Sequence, residues 1–130
     1  MTDRAERVRR AYAAFAERDF ETICELSDPE VEFTSLTMES EGVIYHGHDG
    51  LREYLTRLVD VLPDWRPELE EMEEHGEQVL ARTRTRATPH GGSVPVEQVM
   101  WQVIRYRGDL AVRWDFFRTE EEARASLAGD

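Results

Sequence analysis

A chain of 130 residues fits one domain and leaves no length for a second, so residues 1–130 are read as a single unit. Its formal net charge is −12, from 28 acidic and 16 basic residues, and no basic stripe interleaved with aromatics interrupts that acidity. Nucleic acid and anionic membrane surfaces are therefore excluded as partners, because both repel such a surface.

No apolar run approaches the roughly 20 residues that span a bilayer. The opening MTDRAERVRRAYAAF is charged where a secretion signal would be apolar, so a cytoplasmic location is expected. Cys24 is the one cysteine, which excludes an internal disulfide and reads as a buried structural thiol. Three tryptophans, four tyrosines and five phenylalanines spread between periodic segments give enough apolar mass for a core.

Val8, Ala11, Tyr12 and Phe15 recur at helical spacing and predict a first helix, capped by Thr2 or Asp3 and running to about Arg18. Asp19 caps a short second helix, FETICELS, with Pro29 as its stop. VEFTSL alternates as a strand, TMESEGV is a loop, and VIYHG is a short strand ending at Gly47. HDGLREYLTRLVDVLP predicts a third helix with Leu51, Tyr54, Leu55, Leu58, Val59 and Leu62 inward and Asp49 as a cap.

Beyond Trp65 the pattern is extended: WRPELEEME, a turn at His75-Gly76, QVLARTRTRAT, a connection at Pro89–Gly92, VPVEQVMWQVIRY, a turn at Arg107–Asp109, and LAVRWDFF. TEEEARASL closes the chain as a helix whose Thr119 and Glu122 fit a capping box. Three helices among two short strands, then a four-strand antiparallel meander, make an α+β arrangement.

Four segments, AYAAFAERDFETICELSDPEVEF, IYHGHDGLREYL, LPDWRPELEEM and GDLAVRWDFF, resemble the SnoaL-like branch of the nuclear transport factor 2-like superfamily. The resemblance implies a curved antiparallel sheet forming a cone-shaped half-barrel, closed by the N-terminal helices around a pocket. It covers nearly the whole chain. Polyketide cyclases, ketosteroid isomerases and limonene epoxide hydrolases share the superfamily, so the fold alone does not assign an activity.

GDLAVRWDFF is similar to the strand carrying the catalytic aspartate of limonene epoxide hydrolases. The resemblance thereby implies that Asp115 faces the cavity, with Arg113 and Phe117 beside it by strand alternation. Pairing across the turns predicts three rows: Arg84, Val99 and Asp115; Arg86, Glu97 and Phe117; and Arg82, Trp101 and Arg113. On this reading Asp115 transfers a proton, Arg84 sets its charge state, and Tyr12 or His46 supplies a hydrogen bond. Phe15, Phe33, Ser35, Tyr54, Leu58, Val99, Trp101 and Phe117 join Arg82, Arg86, Glu97 and Arg113 as ligand-binding residues.

The epoxide hydrolase triad is incomplete, since Arg84 stands where its second aspartate would be. The ketosteroid isomerase base position holds Phe33, and the isomerase tyrosine position holds Ala11, next to Tyr12. The Arg82, Arg84 and Arg86 row shares one face, which is either the cavity, where it would suit a carbonyl or anion, or solvent. His46 and His48 flank a turn and His75 and His90 sit at turns, so no metal site is expected, and no cofactor is implied.

The functional expectation is a small-molecule-binding protein, with a cofactor-independent cyclase or isomerase acting on a hydrophobic carbonyl compound as its enzymatic form. A non-catalytic ligand-binding or dimeric interaction module is the alternative. Met100, Ile104, Val112, Trp114 and Phe116 share the face opposite Asp115 and predict a homodimer through an apolar outer surface.

Overall fold

Apolar spacing in the first half of the chain sends three helices onto one face of a sheet. The computed structural model describes residues 3–34, 44–61, 63–88, 94 and 96–128. Ser35, Leu62, the TMESEGV segment and the Pro89–Gly92 connection lie outside the described residues. The elements run α1 (Asp3–Ala16), α2 (Phe20–Glu25), β1 (Ser27–Thr34), β2 (Ile44–His46), α3 (Gly47–Val61), β3 (Arg66–His75), β4 (Gln78–Ala87), β5 (Val96–Arg107), β6 (Leu110–Phe117) and α4 (Glu120–Ala128).

The expected α+β class holds, with the four-strand meander β3 to β6 intact. The six strands form one sheet in the order β2-β1-β6-β5-β4-β3. It is mixed rather than wholly antiparallel, because β1 runs parallel to β6. It remains an open sheet with β2 and β3 as its edges.

Local chemistry explains the element ends. Asp19 caps α2 by accepting from Thr22 N at 3.2 Å. That helix stops at Glu25, shorter than its predicted span, and Ser27 already belongs to β1. Pro29 pushes the residue before it to an extended backbone, which favours the early strand. Thr119 Oγ1 accepts from Glu122 N at 3.1 Å and starts α4 as its capping pattern predicts.

The main core lies between α1, α2, α3 and one sheet face. Val8, Phe15, Ile23, Leu51, Tyr54 and Leu58 pack there against Phe33, Val79, Met100, Ile104, Trp114 and Phe116. Met100, Ile104, Trp114 and Phe116 are thus interior residues, at most 5% exposed, and form no outer surface for pairing two copies. This corrects the face expected from the resemblance. Burying the Arg82–Arg86 row under three apolar helices would cost several kcal/mol per charge, whereas turning Trp114 and Phe116 inward costs no charge desolvation.

The opposite face carries the charged side chains and receives α4. A smaller cluster of Leu80, Val103 and Ala123, packed by Trp101, Phe117 and Leu127, holds α4 there.

Register corrects a second expectation. β4 and β5 pair as predicted, with Arg82 opposite Trp101, Arg84 opposite Val99 and Arg86 opposite Glu97. In the next ladder Asp115 stands opposite Val103 rather than Val99, and Phe117 opposite Trp101. Two features displace it. Arg107 pairs with Leu110 around a tight Gly108-Asp109 turn, and a bulge leaves Val112 unpaired between Ala111 and Arg113. The bulge also breaks the alternation, so Ala111 is buried on the same face as Trp114, and Val112 does not simply continue the Trp114–Phe116 row.

Candidate functional site

A cavity of about 50 Å³ lies between the helices and the inner sheet face. Helix α1 supplies Ala11, Tyr12 and Phe15, α2 supplies Ile23, and α3 supplies Tyr54, Leu55 and Leu58. Phe33 of β1, Gln102 of β5, and Trp114 and Phe116 of β6 form the floor, and Trp65 and Pro67 complete the lining. The aromatic rings touch one another. Phe33 and Tyr54 lie 4.6 Å apart between centroids, and Trp65 meets Phe15 at 5.2 Å and Phe116 at 6.3 Å, edge to face in both cases.

Tyr12 and Gln102 form a polar pair among the described lining residues, to which Tyr54 adds a further hydroxyl. The Tyr12 hydroxyl donates to Gln102 Oε1, joining α1 to the middle of β5. Gln102 is 2% exposed, and the phenol oxygen of Tyr12 is likewise enclosed. Burial, and then the neighbouring Tyr54, hold the Tyr12 phenol far above its ordinary value, so it stays neutral. Among the described lining residues there is no carboxylate, imidazole, lysine or arginine.

Of the residues expected to form the site, the structure brings together Tyr12, Phe15, Phe33, Tyr54 and Leu58. It places Asp115, Arg84, His46, Arg82, Arg86, Glu97, Val99, Trp101, Arg113 and Phe117 on the other side of the sheet. The four residues read as a catalytic set are therefore not assembled in one cavity.

Each has partners of its own. Asp115 accepts from Thr34 Oγ1 and from Arg113 Nε at 2.8 Å, and Arg113 Nη1 reaches Glu32 at 2.9 Å. Arg84 Nε donates to Glu70 at 2.8 Å, and Arg86 lies 3.9 Å from Glu97. Glu70 shares the face of Glu68, which pairs with Arg84, and lies 3.4 Å from Arg82 as well; a bulge after Leu69 brings Glu71 opposite Arg82. Arg82 stands over the Trp101 ring at 5.9 Å, and exposed His46 lies 3.3 Å from Glu30.

Gln102 is the site residue that sequence reasoning missed. A polar residue between Met100 and Ile104 on one strand face was its signal, visible once that face is known to point inward. Cys24 is buried, and that burial raises its thiol above the usual value, as a structural role requires. Among the described residues no three His, Cys, Asp or Glu side chains group as metal ligands, and no helix is long and apolar enough to cross a membrane.

Similar solved structures share this architecture along nearly their full lengths. An NTF2-like protein of unknown function from Burkholderia pseudomallei K96243 is 23% identical, with 96% of this chain and 97% of that one covered and a TM-score of 0.81. TerC, co-crystallised with polyporic acid, is 23% identical over 99% of this chain and 100% of its own, with a TM-score of 0.80. A protein from Jannaschia sp. CCS1 assigned as a SnoaL-like polyketide cyclase is 14% identical over 95% and 89%, with a TM-score of 0.74. Identities this low establish a common fold and nothing finer. No curated protein matches the sequence. The family model of the SnoaL-like domain matches residues 8–114, and the chain belongs to that family.

Proposed function

We propose that this SnoaL-like domain binds a small, largely apolar molecule carrying one acceptor oxygen, such as a carbonyl, in the cavity under α1 and α3. The Tyr12–Gln102 pair carries the reading. A glutamine buried on a strand face between Met100 and Ile104 loses solvation that a methionine would not, and one hydrogen bond offsets only part of it. With Tyr12 donating to Oε1, the amide nitrogen remains as a donor toward the cavity. With the amide turned over, the phenol would accept from the nitrogen and its own hydrogen would be free instead. In either orientation the pair keeps a donor for a ligand oxygen, in a wall otherwise apolar and aromatic.

The neutral lining favours binding over proton transfer by Asp115. A cyclase or isomerase reaction here would use Tyr12 or Gln102 to stabilise a developing oxyanion, with the base supplied from outside the described lining. The relatives co-crystallised with polyporic acid and assigned as a polyketide cyclase agree with a carbonyl-bearing ligand class.

A thermal-shift screen of small ketones, quinones and matched hydrocarbons tests the proposal. Native-state binding raises Tm for the oxygen-bearing members, and Gln102→Met removes that rise. Equal shifts with the hydrocarbons, or shifts indifferent to Gln102→Met, would sink it.

A further inference from the structure

A cavity of about 50 Å³ is too small for the ligand just described. An engineered apolar cavity that admits benzene measures about 150 Å³. A compound of even six carbon atoms is therefore accommodated only if a wall moves.

The walls differ in how they are held. Phe15 and Tyr54 sit on helices, and Phe33, Trp114 and Phe116 on paired strands. Trp65 alone among the described aromatic lining belongs to neither, standing in the connector between α3 and β3. It is 5% exposed and packs edge to face against Phe15 and Phe116.

That connector is pinned by side chains from two directions. Arg18 Nη2 donates to Pro63 O at 2.9 Å and to Trp65 O at 3.2 Å, the two carbonyls flanking Asp64. Its Nη1 donates to Phe15 O at 3.2 Å, and its guanidinium lies 4.5 Å over the Phe15 ring that Trp65 abuts. From the other side, Asp64 accepts from Thr88 N at 3.0 Å and Thr88 Oγ1 at 2.6 Å. Arg18 takes this post from an unusual backbone, with φ 58, the one non-glycine residue at positive φ among those described. A left-handed arginine costs roughly 1–2 kcal/mol. The fold accepts that where α1 ends, directly beside the pocket.

We propose that Trp65 is the gate of the cavity and that the Arg18 guanidinium is its latch. Releasing the Pro63 and Trp65 carbonyls leaves Asp64–Thr88 as a pivot, about which the connector swings and carries the indole away from Phe15. The gate rests on reading the cavity as a ligand site, but its opening can be measured with no ligand present.

Hydrogen exchange of the three indole N–H groups, followed by NMR, reports it. Arg18→Gly deletes the latch while suiting the left-handed backbone, and Arg18→Met keeps the aliphatic cover over Phe15. Both speed exchange at Trp65 by about tenfold or more, since each hydrogen bond to a charged group is worth about that factor and the latch makes two, and leave Trp114 unchanged. Unchanged exchange at Trp65 in both variants would overturn the latch. So would equal acceleration at Trp114, which marks general loosening. A ligand screen that finds nothing sinks the binding reading and leaves this result standing.

Discussion

Arg113 Nε donates to Asp115 Oδ2 at 2.8 Å, from a position two residues away on the same strand face. The Asp115 side chain is only 14% exposed, so its carboxylate depends on that bond and on Thr34. Arg113→Met is expected to destabilise the fold by about 1–3 kcal/mol, the range for leaving an enclosed polar group short of a partner. Urea unfolding measures this. Asp115→Asn should leave ligand binding in the cavity unaltered, since Asp115 lies across the sheet from it. Loss of binding in that variant, with stability retained, would show that the outer face takes part.

The Tyr12–Gln102 pair predicts coupled behaviour. Tyr12→Phe or Gln102→Met alone leaves one enclosed polar group unpartnered and should lower stability by about 1–3 kcal/mol. The double variant removes both groups and should cost less than the two singles together, by about 1 kcal/mol or more. Strict additivity in a double-mutant cycle would mean that the hydrogen bond contributes little to the native state.

The sequence revealed the helices because Val8, Ala11 and Phe15, and Leu51, Leu55 and Leu58, repeat at a spacing that only a helix turns to one side. It revealed the β4–β5 register because Arg82, Arg84 and Arg86 alternate with small or apolar residues toward a short connection. Which sheet face points inward was also written there, in Trp114 and Phe116 against Arg113 and Asp115. The likeness of this strand to one bearing an inward aspartate pointed the other way. The Val112 bulge was not legible, for no glycine or proline marks it, and it moves every later partner of β5. Nor was the parallel β1–β6 pairing, since it joins segments some 80 residues apart through no local signal. Gln102 was hidden by the reversed face rather than by its own chemistry.

Gly47 opens α3 at φ 76, and a Cβ there would stand 3.3 Å from Pro29 O. Gly47→Ala combines a left-handed backbone with a tight contact and should destabilise by roughly 1–2 kcal/mol. Thermal unfolding checks this, with circular dichroism showing whether α3 survives. A neutral effect would mean that the His46–His48 turn relaxes to negative φ without disturbing the strand before it.

Asp64 gives the pH-dependent test. Hydrogen bonds from Thr88, first from its hydroxyl and then from its backbone N–H, hold the Asp64 carboxyl below its ordinary value of 3.8. A carboxyl with a depressed folded pKa contributes stability above its unfolded pKa and loses it as pH falls through the folded one. The stability difference between the native chain and Asp64→Asn, whose amide oxygen is a neutral acceptor, should therefore be full at neutral pH. It should shrink as the pH drops from about 4 toward 2. Urea midpoints measured in parallel across that range supply the comparison. A difference that stays constant from neutral to acid would show that Thr88 does not favour the charged carboxylate, and the pivot assigned to Asp64 would lose its electrostatic hold.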